Sequence, residues 1–156
     1  MSNQNSFISP IVLTGPYFDE SSIVVCRSAS ASSGSISCSV GLNIPENLAL
    51  SHEGSAYVLN HAMKIDITIQ QDSDDSGSKA DLMRIALTAT GAVSVADSIG
   101  LDEGEIFEAL RLNAISLFYS SARSYVEMIT AQSSIGRFTI PAIDPNAYVR
   151  SLDSEA

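Results

Sequence analysis

The chain has 156 residues, with 18 acidic and 8 basic side chains and a formal net charge of -10. A chain of this length predicts one domain, residues 1–156, around a single core. The scarcity of Lys and Arg argues against a nucleic-acid-binding surface, and no apolar run reaches the roughly eighteen residues of a membrane span. With no basic and apolar leader at the start, we expect a cytoplasmic protein. The acidic charge then serves solubility, or a basic or unfolded partner.

The first half of the chain predicts antiparallel strands. Two apolar runs, 11–13 and 23–26, are separated by Gly15-Pro16, and the proline indicates an edge position or a bulge. Three further runs, at 36–44, 57–69 and 83–95, alternate apolar and polar residues. Such alternation is typical of strands with one buried and one solvent-facing side.

Segments without apolar core residues separate and flank these strands. Residues 28–35 contain only Ser, Ala and Gly, which predicts a turn. Residues 71–79 carry three aspartates and predict an acidic, solvated hairpin loop. We expect the two ends of the chain, residues 1–9 and 151–156, to be flexible.

A helix of roughly thirty residues is predicted from Asp102 to about Gln132. Asp102 and Glu105 are spaced as a capping box, and apolar residues follow at intervals of three and four. This helix would be roughly 45 Å long, whereas a compact monomer of this size is about 30–35 Å across. We therefore expect a partner subunit to cover part of the helix. The candidate interface residues are Leu110, Leu117, Phe118 and Tyr125.

After Gly136 the chain predicts an extended loop with two prolines and then a short helix from about Pro145. Strands followed by helices indicate an α+β domain. The predicted architecture is a four-stranded antiparallel sheet followed by one long helix and a short C-terminal helix.

The residue types that carry enzyme chemistry form no recognisable constellation. The sequence has no phosphate-binding glycine motif and no nucleophile elbow, and His61 is predicted to pack on the apolar face of a strand. Cys26 and Cys38 lie at equal distances from Ser32, so a symmetric hairpin would place them opposite each other on neighbouring strands. We expect both to be reduced core residues, with a disulfide as the less favoured alternative. No enzyme activity, metal or cofactor is expected.

Three elements follow one another in the last third of the chain. Residues 113–123 read Asn-Ala-Ile-Ser-Leu-Phe-Tyr-Ser-Ser-Ala-Arg, and residues 129–132 read Ile-Thr-Ala-Gln. The third element is Gly136-x-Phe138, followed by Ile143-x-Pro145-x-x-Tyr148. In this order and after four strands, they resemble the SecB family of export chaperones and the SecB-like proteins linked to toxin–antitoxin systems.

This chain also departs from the family pattern. Tyr119-Ser120-Ser121 stands where the family usually has Pro-Tyr before Ala-Arg, and the longer helix end is closer to the SecB-like branch. Few acidic residues are available for docking to the translocation motor that SecB serves: Asp19, Glu20 and Asp66.

The resemblance implies an ATP-independent chaperone, or holdase, that binds unfolded polypeptides in apolar grooves, with export as one use. Such proteins assemble as a dimer of dimers, and a simple dimer is the alternative here. A chaperone dedicated to one antitoxin is a second reading, and a non-enzymatic oligomeric adaptor or scaffold is a third.

Under the chaperone reading, the loop after the long helix forms one wall of a groove, although the same loop could instead cover the core. Arg123 could pair with Glu127 on the same helix or contact another subunit. The loop residues of the first wall are Phe138, Ile140 and Ile143, and those of the opposite wall are Tyr17, Phe18, Val93 and Val95.

Overall fold

The computed structural model describes residues 10–26, 34–45, 47–72 and 77–155. Within them lie five strands, a 3₁₀ turn and two helices. These are β1 (Ile11–Val25), β2 (Ile36–Asn43), β3 (Leu50–Glu53), β4 (Ala56–Asp72), β5 (Lys79–Ala96), the 3₁₀ turn Asp97–Ile99, α1 (Glu103–Thr130) and α2 (Pro145–Glu155).

The strands form one antiparallel sheet in the order β1-β5-β4-β2, and β3 pairs with the first residues of β4. The predicted α+β class, with an antiparallel sheet, a long helix and a short C-terminal helix, is confirmed. The predicted strand number is wrong, because the sheet has five strands rather than four. The additional strand, β3, has only four residues and is too short to show an alternating pattern.

The central hairpin of β4 and β5 forms the long axis of the sheet. These strands have 17 and 18 residues, and their pairing extends from Ala56 opposite Ala96 to Asp72 opposite Lys79. Their side chains alternate between a face covered by α1, here called the inner face, and a solvent-facing outer face. Because Asp72 and Lys79 are already paired, the acidic hairpin loop is shorter than the predicted 71–79; residues 73–76 lie outside the described residues.

Of the two alternatives for the first strand, the edge position is confirmed, and the strand pairing is also irregular at the proline. β1 pairs only with β5, and its register shifts between Thr14 and Tyr17, at Gly15-Pro16. Gly91 on β5 lies beside this irregularity. A Cβ atom at Gly91 would come within 2.4 Å of the Thr14 carbonyl oxygen and 3.0 Å of the Phe118 ring, so no larger residue fits here.

The predicted hairpin between Cys26 and Cys38 is wrong. β1 and β2 lie at opposite edges of the sheet, with β5 and β4 between them. Three strand spacings separate the two cysteines by about 14 Å, which is beyond the reach of a disulfide. Both thiols are free; Cys26 is exposed, and Cys38 is half-buried on β2, where burial raises its pKa. The turn predicted at 28–35 lies mostly outside the described residues, as do residues 1–9.

The long helix needs no second subunit to bury its apolar stripe. α1 has 28 residues, or about 42 Å, whereas an 18-residue strand is about 60 Å long. The sheet of one chain is therefore longer than the helix, contrary to the expectation from a compact monomer. Among the described residues, no helix combines the length and the apolar character needed to span a membrane.

Every fourth residue of α1 is buried against the inner face of the sheet. Two alanines in this row, Ala114 and Ala122, allow the helix to approach the strands closely. The N-terminus is closed by the predicted capping box: Asp102 Oδ1 accepts from the Glu105 amide, and the Glu105 carboxylate accepts from the Asp102 amide. The full row is Ile106, Leu110, Ala114, Phe118, Ala122, Val126 and Thr130.

The C-terminal helix begins where the sequence predicts and ends later. The Asp144 carboxylate accepts from the amides of Asn146 and Ala147, so Asp144 caps α2 and Pro145 occupies its first turn. Where a flexible tail is expected from residue 151, the structure instead continues α2 to Glu155. One contact that holds these last turns is the ion pair of Asp153 with Arg111 on α1, at 3.1 Å.

His61 is buried in the core, and the described residues give its ring no polar partner. Its ring lies edge-on to Phe118, with 4.9 Å between ring centroids, and its exposed fraction is 3%. Neither ring nitrogen has a hydrogen-bond partner among the described residues. Desolvation lowers the pKa of His61 to about 4, so the imidazole is neutral near pH 7.

We predict that His61→Leu makes the protein less sensitive to acid. The pKa of His61 is about 4 when folded and 6.5 when exposed, so between these values the unfolded chain binds more protons. The free energy of unfolding of the wild type therefore falls as the pH decreases from 6.5 towards 4, by about 3 kcal/mol from this residue. Urea unfolding of both proteins at several pH values should show a difference that widens in this window. A constant difference would contradict the buried, unpaired imidazole.

A second prediction concerns the cap of α1. Asp102→Ala should lower the free energy of unfolding by about 1 kcal/mol, because the Glu105 amide loses its acceptor. Glu103→Ala is the matched control, since Glu103 is an exposed acid in the same turn outside the capping box. Equal urea midpoints for Asp102→Ala and Glu103→Ala would show that only the charge near the helix end matters.

Candidate functional site

A segment after the long helix runs back along α1 and is fastened to it by side chains of the helix. We call residues 137–144 the return segment. The Thr130 hydroxyl accepts from the Phe138 amide at 2.9 Å, Arg123 Nε donates to the Ile140 carbonyl at 3.0 Å, and the Tyr119 hydroxyl donates to the Pro141 carbonyl at 2.7 Å. Since the partners on α1 have falling numbers as the segment advances, the two elements are antiparallel.

Glu127 makes two further contacts between α1 and the return segment. Its carboxylate accepts from the Thr139 hydroxyl at 2.8 Å and lies 3.8 Å from the Arg137 guanidinium. The suggested Arg123–Glu127 pair therefore does not form, because both side chains are used on the return segment. The sequence signal for this role is a polar row on one flank of α1 at four-residue spacing, Tyr119, Arg123 and Glu127.

The return segment mainly covers the core of its own chain. Ile140 is fully buried in the main apolar cluster, and Phe138 and Ile143 are half-buried against the same cluster. Burial raises the pKa of the Tyr119 phenol beneath the segment; the positive charge of Arg123 opposes this, and nearby Cys38 on β2 adds a smaller increase. The return segment thus lies towards the β2 side of the sheet.

The residues predicted for the opposite wall do not meet the return segment in one groove. Tyr17 and Phe18 lie on β1, at the other edge of the sheet, and α1 lies over the central strands between the two edges. Val93 and Val95 are buried in a second apolar cluster under the first half of α1. The structure therefore separates the two predicted walls.

The helix residues predicted for an oligomer interface fall into two groups. Leu110 and Phe118 are fully buried against the sheet of their own chain, so neither is presented at the surface. Leu117 and Tyr125 are half-buried on the flanks of the stripe. These two remain open to a further contact.

The exposed apolar side chains of the described residues are concentrated on β1. Five of the nine large apolar residues that are exposed lie on this strand. The exposed fraction of Tyr17 is 60% and that of Val12 is 59%. Val12, Tyr17 and Val24 lie opposite outer-face residues of β5, whereas Ile23 and Val25 lie opposite inner-face residues. We call this group the β1 surface: Val12, Tyr17, Ile23, Val24 and Val25.

The second half of α1 extends this apolar area. The Phe18 ring stacks on Tyr125, with centroids 4.6 Å apart, and the Tyr125 hydroxyl lies 3.4 Å from the Ser21 hydroxyl. Met128, one turn after Tyr125, is 54% exposed. Phe18 lies opposite Ala89, an inner-face residue of β5, so the apolar area continues onto the helix from the inner-face side of β1.

The two edges of the sheet differ in how they are covered. At the β2 edge, the Tyr148 hydroxyl of α2 donates to the Leu42 carbonyl at 3.3 Å, and Ile36 is the single exposed large apolar residue of the strand. At the β1 edge, the described part of the chain places no strand or helix alongside. An uncovered edge strand with apolar side chains is a template for pairing with another chain.

Acidic side chains accompany the β1 surface. Asp19 and Glu20 are exposed in the middle of β1, where their carboxylates accept hydrogen bonds from Thr90 and Thr88 of β5. In the described ranges, no three His, Cys, Asp or Glu side chains come together to hold a metal ion. The chemistry on offer is thus apolar burial and backbone pairing beside negative charge.

Comparison with known proteins finds a similarity in structure but none in sequence. No protein-family model matches the chain, and no curated protein matches its sequence. Among solved structures, the chain is similar to a SecB-like chaperone of Mycobacterium tuberculosis, solved in complex with a ChAD peptide from the HigA1 antitoxin. The TM-score is 0.59 at 12% sequence identity, and the match covers 86% of this chain and 91% of the chaperone chain.

At this identity the similarity is one of fold, and it agrees with the element order, the sheet and the two helices described above. The chain has the SecB-like fold.

Proposed function

We propose that the protein is an ATP-independent chaperone that keeps non-native polypeptides soluble in the cytoplasm. The observation that carries this proposal is the β1 surface: five exposed apolar side chains on an edge strand that the described part of the chain leaves uncovered, in a SecB-like fold. An unfolded polypeptide has exposed apolar side chains, and the apolar side chains of the β1 surface offer partners for them.

The strength of such binding suits a holdase. Burying one exposed Val or Tyr side chain contributes on the order of 1–2 kcal/mol, and ordering the client opposes it. Several such contacts give reversible binding without an energy source. The net charge of -10 favours client segments that carry basic residues beside their apolar ones.

Self-association is part of the same proposal. The edge of β1, which is 15 residues long and which the described residues leave open, can pair by main-chain hydrogen bonds with β1 of a second copy. Half-buried Leu117 and Tyr125 on α1 would then lie on surfaces available for joining two such dimers. We propose a dimer as the basic unit and a tetramer as its pair.

A chaperone dedicated to one antitoxin is the second candidate. It is favoured by the structure that this fold resembles, in which a SecB-like chaperone holds an antitoxin peptide. A non-enzymatic scaffold is the third, favoured by the burial of Val93, Val95 and Ile140 in the chain's own core. Transfer of clients to a translocation motor would use exposed acids of the outer sheet face, such as Asp66.

We predict that the protein suppresses aggregation of unrelated unfolded proteins without ATP. Several chemically unfolded proteins would be diluted with and without it, and light scattering would be followed at stoichiometric ratios. Suppression of all of them supports a general holdase. Suppression of none, together with binding of a single partner in pull-downs, would favour the dedicated chaperone, and no partner at all would favour the scaffold.

The β1 surface can be tested directly. The triple variant Val12→Thr, Tyr17→Thr, Val24→Thr keeps residues suited to strands but removes apolar area. We expect about tenfold more protein to be needed for the same suppression, because the lost burial is worth more than 1.4 kcal/mol.

The matched control is Ile36→Thr with Ile99→Thr, which removes exposed apolar side chains away from β1. Sedimentation should show an unchanged mass for the triple variant, since edge pairing uses main-chain groups. If suppression persists, or if the mass decreases together with it, the β1 surface does not bind clients as proposed.

A further inference from the structure

A small cavity with both polar and apolar lining residues lies where the return segment leaves α1. Its volume is about 50 Å³. Four residues of α1 line it on one side, and the end of the return segment and the first residue of α2 line it on the other. The lining residues are Ser116, Tyr119, Ser120, Arg123, Ala142, Ile143 and Pro145.

Three side chains at this cavity have hydrogen-bond donors that contact no acceptor among the described residues. Arg123 uses Nε on the Ile140 carbonyl, and its two terminal nitrogens contact no acceptor among the described residues. The side-chain hydroxyls of Ser116 and Ser120 likewise make no hydrogen bond within the described ranges. Positions 116, 120 and 123 share one flank of the helix, and all three residues line this cavity.

Arg111, the other half-buried arginine of α1, has the carboxylate partners that Arg123 lacks among the described residues. Arg111 contacts two carboxylates, Asp153 at 3.1 Å and Glu108 at 3.7 Å. Arg123 has no carboxylate partner in the described part of a chain that carries 18 acidic residues. A half-buried guanidinium is stabilised most by a planar acceptor that takes two hydrogen bonds. The two terminal nitrogens of Arg123 are available for such an acceptor.

We propose that this cavity is an oxyanion site, in which the Arg123 guanidinium and the hydroxyls of Ser116 and Ser120 bind a carboxylate or a phosphate group. The cavity volume is on the scale of one such group. The carboxylate would come from an acidic side chain of a bound polypeptide, and the phosphate from free inorganic phosphate.

Occupancy would act on the return segment, because Arg123 holds the Ile140 carbonyl with the same guanidinium that contacts the anion. An anion that orders the Arg123 side chain therefore also orders its hydrogen bond to the Ile140 carbonyl. The site is independent of the proposed chaperone function, since it lies on the flank of α1 away from the β1 surface.

The test is titration of the isotope-labelled protein with inorganic phosphate and, separately, with acetate, at constant ionic strength, followed by NMR. We expect saturable shifts of the Arg123 Nε–H and of the amides around Ser116 and Ser120. Tighter binding of phosphate identifies a phosphate-type ligand, and tighter binding of acetate identifies a carboxylate. The absence of saturable shifts with both anions would overturn the proposal.

The double variant Ser116→Ala, Ser120→Ala keeps the Arg123–Ile140 fastening and removes two donors. It should weaken binding about tenfold or more, whereas Ser124→Ala, on the same helix outside the cavity, should leave the affinity unchanged. Arg123→Lys should abolish bidentate binding. An unchanged affinity in the double variant would overturn the proposal, even if Arg123→Lys fails to fold.

Discussion

The burial of one continuous row of α1 side chains on the inner face of the sheet is the constraint on which the rest of the structure depends. The row repeats every four residues from Ile106 to Thr130, so the helix needs an apolar surface about as long as itself. The β4–β5 hairpin supplies it, because its strands are unusually long for a chain of this size. Once α1 covers one face of the two central strands, β1 and β2 are left as edges, and the return segment has a flank of α1 to follow.

The fastening of the return segment explains how an extended segment with Pro141 and no regular hydrogen-bonding pattern keeps a defined path. Thr130, Glu127, Arg123 and Tyr119 each hold one successive residue of it. Ile140 can then be fully buried, although it lies in a loop. The same arrangement uses Nε of Arg123 and leaves its two terminal nitrogens at a small cavity. Arg123 can therefore hold the return segment and also contribute to the proposed anion site.

The two edges of the sheet differ in how they are covered, and the proposed function depends on this difference. α2 reaches the β2 edge through Tyr148, while the described chain leaves the β1 edge and its apolar side chains uncovered. Keeping such an edge exposed is a liability for a protein without partners, because it invites association. In the proposed chaperone function, the exposed apolar side chains are the means of binding, and Asp19 and Glu20 add negative charge beside them.

The sequence by itself determined those features that depend on neighbouring residues. The alternation at 36–44, 57–69 and 83–95, the capping box at Asp102 and the start of the second helix at Pro145 each follow from local periodicity or local hydrogen bonds, and the structure has all of them. Only the tertiary structure decided which strands are neighbours. Strand order depends on pairing between distant segments, so a symmetric spacing of Cys26 and Cys38 could not show that β4 and β5 would lie between them. The candidate site was divided for the same reason: Tyr17 and Phe138 both look available in the sequence, but the sheet places them on opposite sides of α1.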